Sequence, residues 1–294
     1  MAICTISAYW ITMKIYENFA EAEASIRVKA PPILYKYRDW SNPLHRNLLT
    51  HQQLWLSSPA NLNDPLDVRI SLRFLPEELD HPLFFEKLRK MMKKKRPHIN
   101  PESREFRAIC ENHLDQIKID PAKWFSGTWD KLRVSSLYEC YGVLSLTDQP
   151  LTKQMWEEYG GSKECGFCVG WETVELARSL NDVGLGKVWY QDEPMVHSFI
   201  NDDIETEVLK QYVKRKKYSF ESEWRFITPQ IENNGQRTRA FDSAAIREVI
   251  LDNRMPGNER NAIIAILRDL YASQPTLYQL LRNPSGLAVT LVEY

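Results

Sequence analysis

Runs of alternating apolar and polar residues recur along the chain and predict β-strands. Residues 33–38 (ILYKYR) alternate with aromatic side chains, and residues 220–228 (FESEWRFIT) alternate strictly. Because successive strand side chains point to opposite faces, Glu221, Glu223 and Arg225 are expected to share one face. The same type of pattern predicts further strands at residues 54–56, 68–74, 138–146, 166–171, 186–190, 246–251 and 287–292.

Segments with helical composition lie between these strands. Residues 13–27 are rich in Ala and Glu and precede a Pro pair that stops the helix, and residues 76–135 are charged with an approximate helical spacing. Because strands and helices are interspersed without a repeat or linker, we expect a single α+β domain over residues 1–294. Its sheet should be mixed or antiparallel, with residues 76–135 as a helical insertion. Other helices are predicted at residues 44–51, 153–159, 173–180, 200–212 and 258–271.

The charge balance gives no overall attraction to nucleic acid, because the 294 residues carry a net charge of −1. Two local basic runs, at residues 87–96 and 214–217, stand out against this background. Each run is consistent with an ordinary solvated face or with a nucleic-acid contact. Both interpretations stay open at this point.

The cysteines and the apolar segments bear on metal binding and location. Five scattered Cys residues fit a reducing compartment, and Cys165-x-x-Cys168 has no second ligand pair at zinc-finger spacing. We therefore expect two packed thiols and no metal. Residues 3–13 are apolar but too short to cross a bilayer and poor as a secretory signal, so a cytoplasmic protein without a membrane partner is expected.

Four separated motifs contain the most distinctive polar and aromatic residues. They are residues 35–38 (YKYR), 54–67 (LWLSSPANLNDPLD), 144–159 (LSLTDQPLTKQMWEEY) and 220–225 (FESEWR). Together they resemble the bacterial domain-of-unknown-function family 2971, over residues 34–292. Two features depart from that family: Leu62 stands where Phe tends to precede Asn-Asp-Pro, and residues 161–165 contain no His.

The order of these motifs is also similar in layout to ADP-ribosyltransferases, including DNA-targeting toxins of that class. This resemblance implies an ADP-ribosyltransferase-like fold, with NAD as the substrate and a role in a toxin or phage-defence system. It also implies catalytic carboxylates: Glu223 would stabilise the oxocarbenium-like transition state, and Glu221 would orient the acceptor. The acceptor would be a nucleic acid or a protein.

The remaining motif residues are candidates for binding the nucleotide. A guanidinium grips pyrophosphate in a bidentate manner, so Arg38 is the candidate phosphate ligand. An aromatic platform for the nicotinamide ring could come from Trp156, Tyr159 or Tyr37. Arg225 could pair with either Glu or with phosphate. The last two candidates are Asn63 and Asp64. We expect four of the motif residues to surround one cleft, namely Arg38, Asn63, Trp156 and Glu223.

Structural roles compete with each of these assignments. The Glu-x-Glu-x-Arg face could be an exposed ion-pair ladder, and Trp156 and Tyr159 could be core residues. Asn63-Asp64-Pro65 could be a turn, and Arg38 could pair with Asp64 or Asp67. Three functions stay open: an NAD-consuming transferase-like effector, a nucleic-acid-binding or processing protein, and a non-catalytic interaction protein. The oligomeric state does not follow from the sequence.

Overall fold

The chain divides into two units in a computed structural model. The first unit comprises residues 1–62, 139–190 and 216–294, and the second comprises residues 63–138 and 191–215. The boundaries predicted for the helical insertion, residues 76–135, stay a prediction. The structure describes residues 3–7, 12–16, 18–64, 67–68, 72–124, 141–161, 164–181, 183–193, 195–200, 208–228, 231 and 234–293.

Strands and helices alternate along the described chain. The strands are β1 Ile3–Ser7, β2 Thr12–Tyr16, β3 Ile33–Asp39, β4 Gln53–Trp55, β5 Leu72–Phe74, β6 Gly142–Thr147, β7 Gly166–Glu172, β8 Gly184–Lys187, β9 Trp189–Tyr190, β10 Met195–His197, β11 Val213–Lys214, β12 Glu223–Thr228, β13 Thr238–Ala240, β14 Ile246–Leu251, β15 Thr276–Asn283 and β16 Gly286–Leu291. The α-helices are α1 Phe19–Lys29, α2 Pro43–Thr50, α3 Pro82–Lys95, α4 Arg104–Ile119, α5 Pro121–Trp124, α6 Lys153–Tyr159, α7 Thr173–Leu180 and α8 Gly257–Leu270.

A ten-stranded mixed sheet organises the first unit. Its strand order is β16-β15-β14-β7-β3-β6-β12-β8-β1-β2. The pairs β1–β8 and β14–β15 are parallel, and the other neighbours are antiparallel. The predicted α+β class with a mixed sheet is therefore confirmed. β13 and β4 form a separate antiparallel pair in the same unit.

Alternation along β3 gives the central part of the sheet two different faces. Leu34 packs into the larger hydrophobic cluster of the unit, whereas Tyr35 and Tyr37 pack into a second cluster. Tyr35 lies over Gly170 of β7, where an added Cβ would come within 2.6 Å of the tyrosine ring. The glycine is thus required by the close approach of an aromatic ring rather than by its backbone conformation.

Helices cover both faces of this sheet. Leu48 of α2, Leu176 of α7 and Ile263 of α8 belong to the larger cluster, on the same side as Leu34. Trp156 of α6 belongs to the second cluster, which lies on the side of Tyr35 and Tyr37. α2 begins after Asn42, whose side chain accepts a hydrogen bond from the Leu44 amide, and Pro43 occupies the first helical position.

Local pattern misplaced the start of two predicted elements. The helix predicted at residues 13–27 is wrong at its start, because residues 12–16 form β2 and pair with β1, and α1 begins only after the Asn18 cap. The strand predicted from Phe220 begins at Glu223, since residues 216–221 form a 3-10 helix. In the helix predicted at residues 200–212, residues 208–209 are helical and 210–212 form a 3-10 turn, whereas residues 201–207 lie outside the described residues, so most of this helix stays a prediction.

The second unit contains α3 and α4, together with a short parallel pair formed by β5 and β10. Phe84 of α3 is fully buried and packs against Phe199, with ring centroids 4.6 Å apart. The buried carboxylate of Glu78 accepts hydrogen bonds from the Ser198 hydroxyl and from the Phe199 amide. These contacts join the two chain segments that make up this unit.

The two cysteines of the Cys165-x-x-Cys168 motif are packed thiols, as predicted. Cys165 and Cys168 are free and buried, and they belong to different hydrophobic clusters. Burial raises the pKa of both thiols, so neither is a ready nucleophile.

Within the described ranges, no three metal-ligating side chains lie close enough together to hold a metal ion. No helix among those residues is both long and apolar enough to cross a bilayer.

Candidate functional site

Strands β3 and β6 diverge next to the centre of the sheet. β3 pairs with β7 along its whole length, from Ile33 to Asp39, but it pairs with β6 at a single position, where Tyr35 lies opposite Thr147. Towards the amino end of β6, Val143 instead pairs with Ser57 through an isolated bridge. The two strands therefore form a fork that opens towards the carboxyl end of β3.

A cavity of about 580 Å³ lies beside this fork, in the first unit. Arg38 at the end of β3 contributes the cationic side chain. The other lining residues come from α2 and its start, from β4 and the residue pairing with β6, and from β13. They are Asn42, Leu44, His45, Asn47, Leu48, Gln53, Leu54, Trp55, Ser57 and Thr238.

Arg38 is a half-buried cation that has no carboxylate partner among the residues the structure describes. One guanidinium nitrogen lies 3.4 Å from the Tyr37 carbonyl oxygen, which is a long hydrogen bond. Burial lowers the pKa of Arg38 to about 10, so the side chain stays charged at neutral pH. A desolvated charge without a partner is unfavourable, and an anion in the cavity would compensate for it.

Two further titratable groups lie near Arg38. Burial, followed by the charge of Arg38, lowers the pKa of His45, so its imidazole is neutral at pH 7. Lys36 lies two residues before Arg38 on the same strand face, and its Nζ donates to the Ser145 carbonyl oxygen of β6 at 2.6 Å. Burial and the charge of Arg38 lower the pKa of Lys36 well below its usual value. The charge of Arg38 thus lowers the pKa of both neighbouring groups.

The Glu-x-Glu-x-Arg motif forms a buried polar network and not an exposed ladder. Glu221, Glu223 and Arg225 are each at most 4% exposed. Arg225 grips Glu223 in a bidentate manner, with nitrogen–oxygen distances of 2.8 and 3.0 Å. The Tyr159 hydroxyl donates to Glu221 at 2.8 Å, and the Tyr190 hydroxyl accepts from the Glu223 amide at 2.8 Å. Both predicted catalytic carboxylates are thus engaged by protein groups.

The predicted aromatic platforms are packing residues in this structure. Tyr37 and Trp156 are buried and meet edge to face, with ring centroids 5.2 Å apart. The Tyr37 hydroxyl donates to the Gln149 carbonyl oxygen, and the Trp156 indole donates to the Pro150 carbonyl oxygen. Both polar atoms are satisfied inside the fold, which favours the core interpretation of these two side chains.

Strand register separates Arg38 from the carboxylate network. Thr147 lies directly opposite both Tyr35 and Glu223, so these three side chains share one face of the sheet. Alternation then puts Arg38, three positions after Tyr35, on the other face. Glu223, Tyr37 and Trp156 accordingly lie on one side and Arg38 on the other. The structure does not bring Arg38 and Glu223 together around one cleft.

The Asn63-Asp64 motif lies in the second unit. Arg215 forms a bidentate ion pair with the fully buried Asp64, and Lys214 lies 3.5 Å from Asp67. This geometry gives the two aspartates a structural partner in the basic run at residues 214–217. Asn63 is exposed.

The basic run at residues 87–96 lies on α3 and at its end, and several of its cations are occupied. Lys87 donates to the Ile200 carbonyl oxygen, Arg89 to that of Pro101, and Lys93 to those of Pro97 and Ile99 at 3.1 and 2.9 Å. Such contacts close a helix end and fix adjacent segments. They favour a structural role for much of this run.

The comparison with known proteins identifies one family. A family described as "Protein of unknown function (DUF2971)" matches residues 155–226. This match confirms the resemblance predicted from the motifs, within a segment that runs from Met155 of α6 to Phe226 of β12. No curated protein and no solved structure matches the chain.

Most of the cavity residues were missed by sequence reasoning. Trp55 and Ser57 lie inside a motif, but the motif was interpreted through its Asn-Asp-Pro turn. His45 and Asn47 lie on a short helix without any chemical pattern. A usable signal was present in Lys36 and Arg38, since alternation puts two cations on one face of a strand that is otherwise apolar or aromatic.

Proposed function

We propose that the protein binds a phosphorylated small molecule, with Arg38 as the group that holds the phosphate. The observation that carries the proposal is that Arg38 lines the cavity while the described residues offer it no carboxylate. A planar guanidinium binds phosphate through two parallel hydrogen bonds, and desolvation strengthens that attraction. Phosphate binding would therefore stabilise the partly desolvated charge of Arg38, which is unfavourable in the free protein.

The size and the other polar groups of the cavity support this proposal. Its volume of about 580 Å³ lies within the range of small-molecule pockets. The side chains of Asn47, Gln53 and Ser57 line it, and none of them makes a hydrogen bond to another described side chain or backbone group. These donors and acceptors are available to orient a ligand, whereas Leu44 and Trp55 add exposed apolar side chains to the lining.

Titration calorimetry with inorganic pyrophosphate and ribose 5-phosphate tests the proposal. Loss of a charge-assisted hydrogen-bonding group costs about 1.5–3 kcal/mol, so Arg38→Gln should weaken binding by roughly tenfold to a hundredfold. Arg247→Gln is the matched control, because Arg247 is exposed on β14 and lies outside the cavity lining. The proposal fails if neither probe binds, or if Arg38→Gln and the wild type bind equally well.

The NAD-consuming transferase stays a prediction, and the same protein preparation tests it. Three related expectations also stay predictions: a toxin or phage-defence role, a nucleic-acid or protein acceptor, and a cytoplasmic location. Cleavage of NAD needs a carboxylate beside the ribose, and Glu223 is occupied by Arg225. Incubation with NAD should release nicotinamide if the prediction is right. Release that persists in Glu223→Gln would assign the chemistry to another residue.

A further inference from the structure

Two large apolar side chains stand uncovered in the lining of the cavity. Trp55 is 48% exposed and Leu44 is 77% exposed, although both line the space that contains Arg38. A single exposed tryptophan is ordinary, but two large exposed apolar side chains in the lining of one ligand-sized cavity indicate surface that a ligand can cover. The cavity therefore combines a cationic end with an uncovered aromatic surface.

The short β4–β13 pair explains why the indole of Trp55 is uncovered. Gln53 and Trp55 share one face of β4, and Leu54 turns the other way and is 2% exposed. In the register of the pair, Thr238 lies opposite Trp55 and Ala240 lies opposite Gln53. Neither small side chain can cover an indole ring, and Trp55 is accordingly 48% exposed among the residues that line the cavity.

Amide side chains complete this part of the lining. Asn47 of α2 and Gln53 of β4 each carry a donor and an acceptor, and neither is used by another described group. A nucleobase presents a flat ring together with paired donors and acceptors on its edge. Proteins hold such rings by stacking on aromatic side chains and by hydrogen bonds to the edge.

We propose that the cavity contains a nucleobase subsite in which the base stacks on Trp55 while Arg38 holds the phosphate. Asn47 and Gln53 bind the edge of the base, and Leu44 covers its outer side. The ligand class is then a nucleoside phosphate and not a sugar phosphate or an inorganic anion. This inference rests on the proposed function, because the phosphate contact of Arg38 is common to both.

A comparison of ligands with and without a base tests the subsite. Calorimetry would measure the four common nucleoside monophosphates against ribose 5-phosphate. At least one nucleotide should bind about tenfold to a hundredfold more tightly than the sugar phosphate, as expected for one stacked base. In Trp55→Ala this ratio should fall toward one, and Trp55→Phe should restore most of it.

Trp189→Ala serves as the matched control, because Trp189 is 46% exposed and lies outside the cavity lining. Its nucleotide affinities should equal those of the wild type. Equal affinity of every nucleotide and ribose 5-phosphate for the wild type would overturn the base subsite and leave phosphate binding by Arg38 intact. An unchanged ratio in Trp55→Ala would likewise overturn it. If no phosphorylated probe binds, the subsite and the proposed function fail together.

Discussion

Replacing Glu223 by Gln tests whether the Glu-x-Glu-x-Arg motif is a buried structural network. The side chains of Arg225 and Glu223 are 0% and 3% exposed, and their hydrogen bonds are 2.8 and 3.0 Å long. Glutamine keeps the size of glutamate but leaves the guanidinium of Arg225 buried without that compensating charge. Breaking a buried pair in this way costs about 3–5 kcal/mol, whereas an exposed pair costs about 0–1 kcal/mol.

Denaturant unfolding of the purified variants measures this difference. We expect Glu223→Gln to lower the free energy of unfolding by about 3–5 kcal/mol. The control is Glu157→Gln, which removes an exposed pair with Lys153 on α6, where the partners are 56% and 74% exposed. That variant should change stability by about 0.5 kcal/mol or less. Replacing both Glu223 and Arg225 by neutral residues of similar size should recover part of the loss.

A loss below about 1 kcal/mol in Glu223→Gln would refute this reasoning, because it would mean that the carboxylate is in contact with solvent. The outcome also decides how an activity loss in this variant can be interpreted. If the variant is strongly destabilised, lost turnover reports on folding as much as on chemistry. If it is stable and inactive, the catalytic role predicted for Glu223 gains direct support.

Three further predictions concern charges elsewhere in the first unit. Arg38→Gln should leave the melting temperature unchanged or raise it, since it removes a desolvated charge; a clear decrease would indicate a missed partner. Bound sulfate should raise the pKa of His45, which burial and the charge of Arg38 lower, and an NMR titration that shows no shift would contradict this. Burial raises the pKa of Asp252, but hydrogen bonds from Arg254 and Arg282 outweigh it and hold the pKa below its usual value. Its ion pairs should therefore stabilise the fold above about pH 4 and lose that effect at lower pH, so Asp252→Asn should be less stable than wild type at pH 7 and approach it in acid.

Elements determined by local pattern could be predicted closely. The helices at residues 153–159 and 173–180 and the strand at residues 246–251 have the bounds that were expected. Each helix follows a polar residue and stops at Gly160 or Asn181, and the strand is a short run rich in β-branched residues, so neighbours in space were not needed. The mixed sheet also followed from the interspersed strands and helices.

Elements that depend on distant partners could not be predicted. Residues 12–16 have helical composition in their surroundings, but they pair with β1 and form a strand. Ser222 has a φ of 42°, in the left-handed region, and this kink ends the 3-10 helix before β12. Strict alternation through Phe220 therefore gave too long a strand, although it correctly put Glu223 and Arg225 on one face.

The candidate site could not be predicted from local pattern either, because it depends on strand register across the whole sheet. Strand register divides even the first motif, because Arg38 lies on one face of the sheet and Tyr37 lies on the other with Trp156 and Glu223. The early motifs contribute Arg38 and Trp55 to the cavity, while the later motifs join Tyr159 to Glu221 in the buried network. A one-residue change in strand position moves a side chain to the other face, so sequence order alone could not distinguish one cleft from two sites.

The fork between β3 and β6 explains why the cavity forms at this position. A continuous β3–β6 ladder would fill the space with paired backbone, and Ser57 would have no free edge to join. Here Ser57 pairs with Val143, and Lys36 satisfies the Ser145 carbonyl oxygen that β3 leaves unpaired. Arg38 beside this opening keeps a half-buried charge for which the described residues offer no carboxylate, and this is the feature that a phosphorylated ligand would neutralise.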